Sequence, residues 1–587
     1  MKSRPSAPLI PPWLDLLALG FVPGVLAGTQ IAGLIFFLNP ELPFGPSSVS
    51  RGIFLYGALI GVASLLVTVP ILWRRRHRAR RALPWAITGA LAFSAVLSWV
   101  NASQYAFFLP PGINVRLIKA AALLSLSALI AFYTALIHSW KNRPYGIRSR
   151  LGYVVLALAS VYFIVERREA FRPSPPPTPR PSVVADTLRP RLLVVGLDGA
   201  TLDAVLPSAG QGKLPFFEQA LRDGAYGRLT SLTPNQRLPL WSTLATGKYP
   251  YRHGLVSPWL YEAPQIAAGA HIGILPSALG FRHWGTLGQP RRAADGRDRQ
   301  VLALWEILPR LGISSAVIAW PASAPVSEDA QLVLSDRFFT HPREEEATTR
   351  PPELAERGRI FRLREDEIDP VLAARFGPVA QERVLSSLAS DIWRESLGAF
   401  VLDDEPAPQA MILTLDGLAE VSELFFGGYA AARLEGLQDP AYEEAALQLE
   451  NYYSYTDEVI AKLWEKIPSP KILAVISAYG SGSPSGWGRA WRELGREPLV
   501  AGSFNGSPDG VLLLYGEGIR GGSLLTGADL VDVVPTLIYA LGLPVARDLD
   551  GQVLTDAFDR SSFLARNPLT FVPSYQTLVA PSGSLPR

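Results

Sequence analysis

No cysteine occurs among the 587 residues. That excludes disulfides, thiolate zinc sites, iron–sulfur clusters and cysteine nucleophiles, and leaves the redox compartment open. Charge is scarce as well. Asp, Glu, Lys and Arg make up 18% of the chain, against about 25% in an ordinary soluble domain. Hydrophobic residues make up 48%, a balance that points to membrane spans. Histidine is rare: His77, His138, His253, His271, His283 and His341 are the six, and none follows residue 341. The charge that is present divides unevenly. Residues 1–170 hold 17 Lys+Arg and 4 Asp+Glu, a net +13; the remainder holds 38 and 48, a net −10. The acidic C-terminal part argues against nucleic acid as a partner.

Five apolar runs fill the basic part, at 13–38, 52–73, 83–100, 117–137 and 151–165, and make 1–170 a transmembrane region. A span needs ~20 apolar residues to cross a ~30 Å hydrocarbon core, with ~17 the usual minimum. The fifth run holds 15 residues and must draw on its flanks. Cationic loops set the expected orientation. Arg74, Arg75, Arg76, Arg78, Arg80 and Arg81 separate the second and third runs. Lys141, Arg143, Arg148 and Arg150 separate the fourth and fifth, and Lys2 and Arg4 precede the first. These segments share the cytoplasmic side only if the N-terminus is cytoplasmic. Five spans then deliver the rest of the chain outside. Asp15, Lys119 and His138 lie near span ends, where polar tips reach the interface. The bundle therefore reads as an anchor rather than a transport path. Membrane lipids are its expected partners, and the basic run at 74–81 attracts anionic headgroups.

Residues 171–182, FRPSPPPTPRPS, contain six prolines. Such a stretch favours extended polyproline geometry, so 171–185 reads as a semi-rigid linker. The pattern then changes. RLLVVGLDGA at 191–200 is an apolar run ending in an acid and a glycine, as a buried parallel strand ends at a working sheet edge. KILAVIS at 471–477 and GVLLLYG at 510–516 read as further buried strands, and DLVDVVPTLIYALGLP at 529–544 as a helix. Strands alternating with helices predict an α/β domain over 186–560 with a mainly parallel central sheet. The polar, irregular stretch at about 260–400 reads as a cap insertion, and 561–587 as a tail.

Five segments together resemble the alkaline phosphatase superfamily, in its type I phosphodiesterase/nucleotide pyrophosphatase branch. They are VVGLDGA at 194–200, LWSTLATGKYPYRHG at 240–254, LTLDGLAEVSELFF at 413–426, KILAVISAYGSG at 471–482 and DVVPTLIYALGLPVARDLDG at 532–551. The resemblance implies two divalent metals, usually zinc, held by three carboxylates and three histidines. It also implies a Thr or Ser at a helix N-terminus that attacks phosphorus.

Carried over residue by residue, that pattern is degenerate here. Asp198 and Asp416 match the first and second metal aspartates. Glu420 stands where a metal histidine is expected, and Ala478 and Tyr479 stand where an Asp-His pair is expected. The last histidine position falls near Gly506 or Ser507, and the nucleophile position falls on Arg237. A guanidinium stays protonated and cannot attack phosphorus. The lack of any histidine after 341 agrees with these losses. Thr233, Ser242 and Thr243 flank the nucleophile position, but Ser242 and Thr243 fall inside the helix. His253 belongs to the family's Pro-x-x-His-Gly turn, with a local hydrogen-bonding job.

Two carboxylates left in a pocket built for cations repel each other and are costly to desolvate. Arg237 is therefore expected to pair with Asp198, Asp416 or Glu420 and to stand in for a lost metal. The expected protein is a membrane-anchored, outward-facing, catalytically inactive homologue that binds a ligand or partner, with no cofactor. The alternative is an active metal-dependent phosphodiesterase or phosphotransferase. It would hold one Mg²⁺ or Mn²⁺ ion on Asp198, Asp416 and Glu420.

Overall fold

The computed structural model describes residues 11–141, 143, 145–166, 180–181, 189–277, 290–340, 348–377, 382–404, 406–483, 500–504 and 509–579. The chain forms two compact units. One is Met1–Ser174 with Trp259–Ala293; the other is Pro175–Pro258 with Ala294–Arg587.

In the first unit, apolar runs fold as helices α1 (Pro12–Leu38), α2 (Pro46–Leu72), α3 (Ala79–Gln104) and α4 (Pro111–Trp140). Prolines open α1, α2 and α4, where the missing N–H would find no partner in any case. Among the described residues these four are long and apolar enough to cross a membrane. The fifth expected span folds as α5 (Ile147–Glu166), a helix of 20 residues that falls outside that group. It still packs on its neighbours. Tyr153 Oη donates to the Ala131 carbonyl at 2.9 Å, and Gln30 Nε2 donates to Ser160 Oγ at 2.9 Å. Helices α1 and α2 touch closely at Gly28, where an added Cβ would lie 2.3 Å from the Tyr56 carbonyl oxygen.

The segment Trp259–Ala293 belongs to this unit through backbone capture by two asparagines. Asn39, just past α1, accepts from the N–H groups of Gly273 and Ile274 at 2.9 Å each and donates to the Ile274 carbonyl at 2.8 Å. Asn101, near the end of α3, accepts from Ser277 N–H at 2.7 Å and donates to its carbonyl at 3.3 Å. Tyr105 Oη donates to the Leu275 carbonyl at 3.2 Å. Both asparagines are buried, so each amide works as the edge of a neighbouring strand would. Upstream, Trp259–Glu262 pairs antiparallel with His271–Ile272 and with Arg291–Ala293.

The second unit is built on a nine-stranded sheet. Its spatial order is Ser523–Asp529, Ala225–Thr230, Asp509–Gly516, Lys471–Tyr479, Arg191–Leu197, Ala410–Leu415, Ser315–Ile318, Leu332–Leu334 and Thr349–Arg350. The central run Lys471–Tyr479, Arg191–Leu197, Ala410–Leu415, Ser315–Ile318, Leu332–Leu334 is parallel. Alternate side chains serve two helix layers. Leu193, Val195, Met411 and Leu413 join a large core with Leu388, Val421, Leu449 and Ile460. Val194, Ile412 and Ile476 face Leu244, Leu304, Trp320 and Val533. Burial on both faces explains why these strands are continuously apolar.

Two boundary expectations need correction. The stretch at about 260–400 is not one cap. Its first part joins the unit of apolar helices, and its remainder supplies three strands of the main sheet and the helix Glu382–Asp403. Those strands have four, three and two residues, too few to show a period. The expected tail is also structured: Phe571–Val572 pairs with Val545–Ala546, and Leu578–Val579 pairs with Arg180–Pro181. The rest of the linker expected at 171–185 lies outside the described residues.

Candidate functional site

Three parallel strand ends and two helix starts meet at one edge of this sheet. The Asp198 N–H donates to the Leu415 carbonyl at 3.1 Å, which holds Asp198 beside Asp416 at the ends of adjacent strands. Gly199 follows with φ 78, and a Cβ there would lie 3.2 Å from Ala419 Cα. Only glycine suits that left-handed, crowded turn. The helix Arg237–Thr246 starts after Gln236, whose side chain makes no capping bond, with Arg237 as its first residue. Trp241 one turn later is fully buried, and its Nε1 donates to Asp198 Oδ1 at 3.1 Å.

Arg237 bridges the two aspartates. Its Nε donates to Asp198 Oδ2 at 2.5 Å and its Nη2 to Asp416 Oδ2 at 3.1 Å. The pairing expected of Arg237 thus forms with two of its three candidate partners. A second arginine completes the arrangement. Arg394, from the helix Glu382–Asp403, donates through Nη1 to Asp416 Oδ1 and through Nη2 to Asp416 Oδ2, the latter at 2.9 Å. The same Nη1 donates to Asp391 Oδ1 at 2.9 Å. Asp391 Oδ2 accepts from Gly417 N–H at 3.1 Å and from Tyr452 Oη at 2.9 Å.

The titration behaviour follows from this wiring. Desolvation opposes the charge on Arg237, but Asp198 and Asp416 outweigh it and hold the guanidinium protonated. Desolvation also pushes Asp416 up, yet Arg394 and Arg237 bring it down to about 2. Asp391 is fully buried, and there desolvation wins over Arg394 and lifts it to about 7. Tyr479, at the end of its strand, is pushed well above the usual tyrosine range, first by burial and then by the Asp198 charge. Its ring stands edge-on to Phe504 at 5.4 Å.

This donor set does not fit the metal pair that the resemblance implies. Both oxygens of Asp198 and both of Asp416 already accept from arginine or tryptophan N–H groups. Among the described residues no group of three or more His, Asp or Glu is arranged to hold an ion. Glu420 does not join Asp198 and Asp416. It lies one helical turn past Asp416, half exposed, and pairs with Arg383 at 2.8 Å. Its expected place as a remnant ligand is corrected on that ground, and the one-ion alternative loses its third oxygen donor. Glu420→Gln should therefore change unfolding stability by less than about 0.5 kcal/mol, measured by denaturant titration.

The remaining predicted positions have local roles. Ala478 is buried, and its carbonyl accepts from Ser231 Oγ at 3.0 Å. Gly506, Ser507 and 484–488 of the glycine- and serine-rich loop lie outside the described residues. Ser242 and Thr243 donate back to the carbonyls of Leu238 and Pro239 within their own helix.

His253 is fully buried. Its Nδ1 accepts from Leu255 N–H at 3.1 Å, and its Nε2 lies 3.1 Å from Thr243 Oγ1. Because Thr243 Oγ1 donates to Pro239, the neutral tautomer with Nε2–H is the one that fits. Burial, then Arg299, pushes its pKa down to about 3. The unfolded chain binds a proton near 6.5 that the native state refuses, so stability falls as pH drops below that value, by roughly 1 kcal/mol per pH unit. His253→Gln should flatten this acid slope in unfolding curves taken across it.

Arg394, Asp391, Tyr452 and Trp241 were not among the residues expected from sequence. Asp391 and Arg394 sit three apart on a helix in the stretch read as a cap, and that spacing was their only signal.

The profile of the family described as type I phosphodiesterase/nucleotide pyrophosphatase matches residues 192–483. No curated protein matches the chain. Among solved structures, an inactive form of murine ectonucleotide pyrophosphatase/phosphodiesterase 5 in complex with AMP is similar at 12% identity and a TM-score of 0.38, covering 63% of this chain and 100% of that one. Its human counterpart is similar at 12% identity and 0.37, again over 63% and 100%. Phosphonoacetate hydrolase from Sinorhizobium meliloti 1021, with phosphonoacetate bound, is similar at 17% identity and 0.30, over 51% of this chain and 58% of that one.

Proposed function

We propose that this chain, whose residues 192–483 are a type I phosphodiesterase/nucleotide pyrophosphatase domain of the alkaline phosphatase superfamily, is a membrane-anchored, outward-facing homologue that does not turn over phosphoric esters and acts by binding a ligand or partner. One observation carries the reading: the Arg237 guanidinium bridges Asp198 and Asp416. A fixed organic cation occupies the space between carboxylates that elsewhere in the family hold ions. No hydroxyl stands at the helix start, where the chemistry needs its attacking oxygen.

Orientation rests on two independent features. Arginine placement favours a cytoplasmic N-terminus. Backbone capture by Asn39 and Asn101 adds a parity constraint. These residues lie at the ends of α1 and α3, away from the basic turn between α2 and α3. Residues 273–277, far downstream of α5, reach them. The chain meets both only if α5 completes a fifth crossing. The natural lack of cysteine makes a clean test available. In intact cells a membrane-impermeant maleimide should label Leu524→Cys, at an exposed position. It should label Gly146→Cys only after permeabilisation. The reverse pattern would overturn the orientation.

The activity test uses full-length protein in detergent with bis-p-nitrophenyl phosphate and added Zn²⁺, Mg²⁺ or Mn²⁺. The expected rate equals that of Asp198→Asn under each metal. Metal-dependent turnover that disappears in Asp198→Asn would establish an active enzyme instead.

A further inference from the structure

We propose that the end of the bundle opposite Asn39 and Asn101 is a binding site for anionic phospholipid headgroups. Helix α2 does not run directly into α3. A 3₁₀ turn, Trp73–Arg78, breaks the path, with Arg75 at φ −109, ψ 16 outside helical geometry. Arg74, Arg75, Arg78, Arg80 and Arg81 are exposed, and Arg76 is half-buried. At the same end, the α4–α5 connection and the start of α5 bring Lys141, Arg143, Arg148 and Arg150. Among the described residues at this end, Asp15 in the first turn of α1 is the only acid, and no ion pair joins any of these ten cations. A face with this much uncompensated charge needs anions from outside the chain.

The tryptophans show where those anions lie. Trp13, Trp73, Trp85 and Trp140 mark the same end of α1, α2, α3 and α4, and each is at least 37% exposed. Such a belt sits at the boundary between hydrocarbon and headgroups. Arg76 stacks over the Trp73 ring at 5.6 Å, which ties the cations to the level of the belt. The charge is thus placed at phosphate depth, where each Lys or Arg adds to the attraction of an anionic leaflet. The occupant that fits both features is a phospholipid with a net negative headgroup. A soluble anion would use the charge but not the belt.

The test is lipid retention by full-length protein in non-ionic detergent, read by native mass spectrometry with phosphatidylglycerol and phosphatidylcholine in competition. Phosphatidylglycerol should be retained preferentially, and less so as salt rises. The triple variant Arg75→Gln, Arg78→Gln, Arg81→Gln should bind it on the order of 100-fold more weakly. The matching triple lysine variant keeps the charge and should stay within a few-fold of the parent, which separates a headgroup site from mere loss of fold or topology. Equal retention of the two lipids would overturn the proposal, as would undiminished binding by the glutamine variant. Displacement of the lipid by inorganic phosphate or a soluble acidic peptide at equal concentration would overturn it too.

Discussion

Arg394→Ala should cost about 3–5 kcal/mol of folding stability, the usual penalty for stripping one partner from a buried ion pair. Its side chain is 5% exposed, and it neutralises Asp416 and the fully buried Asp391 at once. Without it Asp391 keeps only an N–H and a phenol as donors. Burial already lifts Asp391 to about 7, and loss of the guanidinium lifts it further. The sign of the pH effect follows. A carboxyl with a higher pKa folded than unfolded binds more protons in the native state, so its contribution to stability falls as pH rises between the two values. The Arg394→Ala deficit should therefore be larger near pH 8 than near pH 5. Asp416 works the other way. Its folded pKa of about 2 lies below the unfolded 3.8, so it stabilises above that range and loses the contribution as pH falls through it. Arg394→Lys keeps one charge but not the two-pronged contact, and should fall between parent and alanine variant. Unfolding midpoints of the full-length protein in detergent measure all of this. A cost below about 1 kcal/mol for Arg394→Ala would show that the network is not buried as described.

Arg237→Ala should turn the site into a weak divalent-cation site. Asp198 is 1% exposed, and Arg237 is its only ion-pair partner among the described residues. Removing Arg237 leaves Asp198 with no cationic partner among the described residues, beside an Asp416 still held by Arg394. The loss of stability should be smaller than for Arg394, because the Arg237 side chain is 44% exposed and water screens it. The larger effect is the response to ions. Mg²⁺ and Mn²⁺ prefer oxygen donors. Either should raise the unfolding midpoint of the variant and leave the parent unchanged. At 100 times its dissociation constant a ligand adds about 2.7 kcal/mol. A variant as indifferent to these ions as the parent would show that Arg237 does not stand in for a metal.

What the sequence disclosed of this site was the part carried by its motifs. Asp198 and Asp416 stood at the ends of apolar strands, inside motifs with fixed order, and Arg237 stood where the resemblance placed a small hydroxyl. The compensating part was hidden. Arg394 and Asp391 lie on a helix whose neighbouring strands are too short to show a period, so the region read as an insertion. Tyr452 sits on the long helix Pro440–Lys466, on a face packed with other aromatic and aliphatic side chains, and nothing in its spacing set it apart. Glu420 failed for a geometric reason. Position along the motif suggested a ligand, but the helix carries its side chain toward Arg383 instead. The four long apolar helices were plain from hydropathy, whereas the capture of 273–277 was not. An asparagine amide that binds a distant backbone leaves no pattern in the sequence of either partner.

The nine-stranded sheet shows the same division. Of its six strands of six or more residues, four were visible as apolar runs or motif segments; Ser523–Asp529 was not, nor was Ala225–Thr230, whose alternating burial puts exposed residues between buried ones. That alternation marks a strand wet on one face, and it was lost beside the stronger apolar signals on either side.

The most direct test is the metal content of full-length protein purified without chelators, measured by elemental analysis alongside protein concentration. With arginines holding Asp198 and Asp416, zinc should be far below one ion per chain. About two zinc ions per chain, the complement of an intact two-metal site, would contradict the account and restore the catalytic reading.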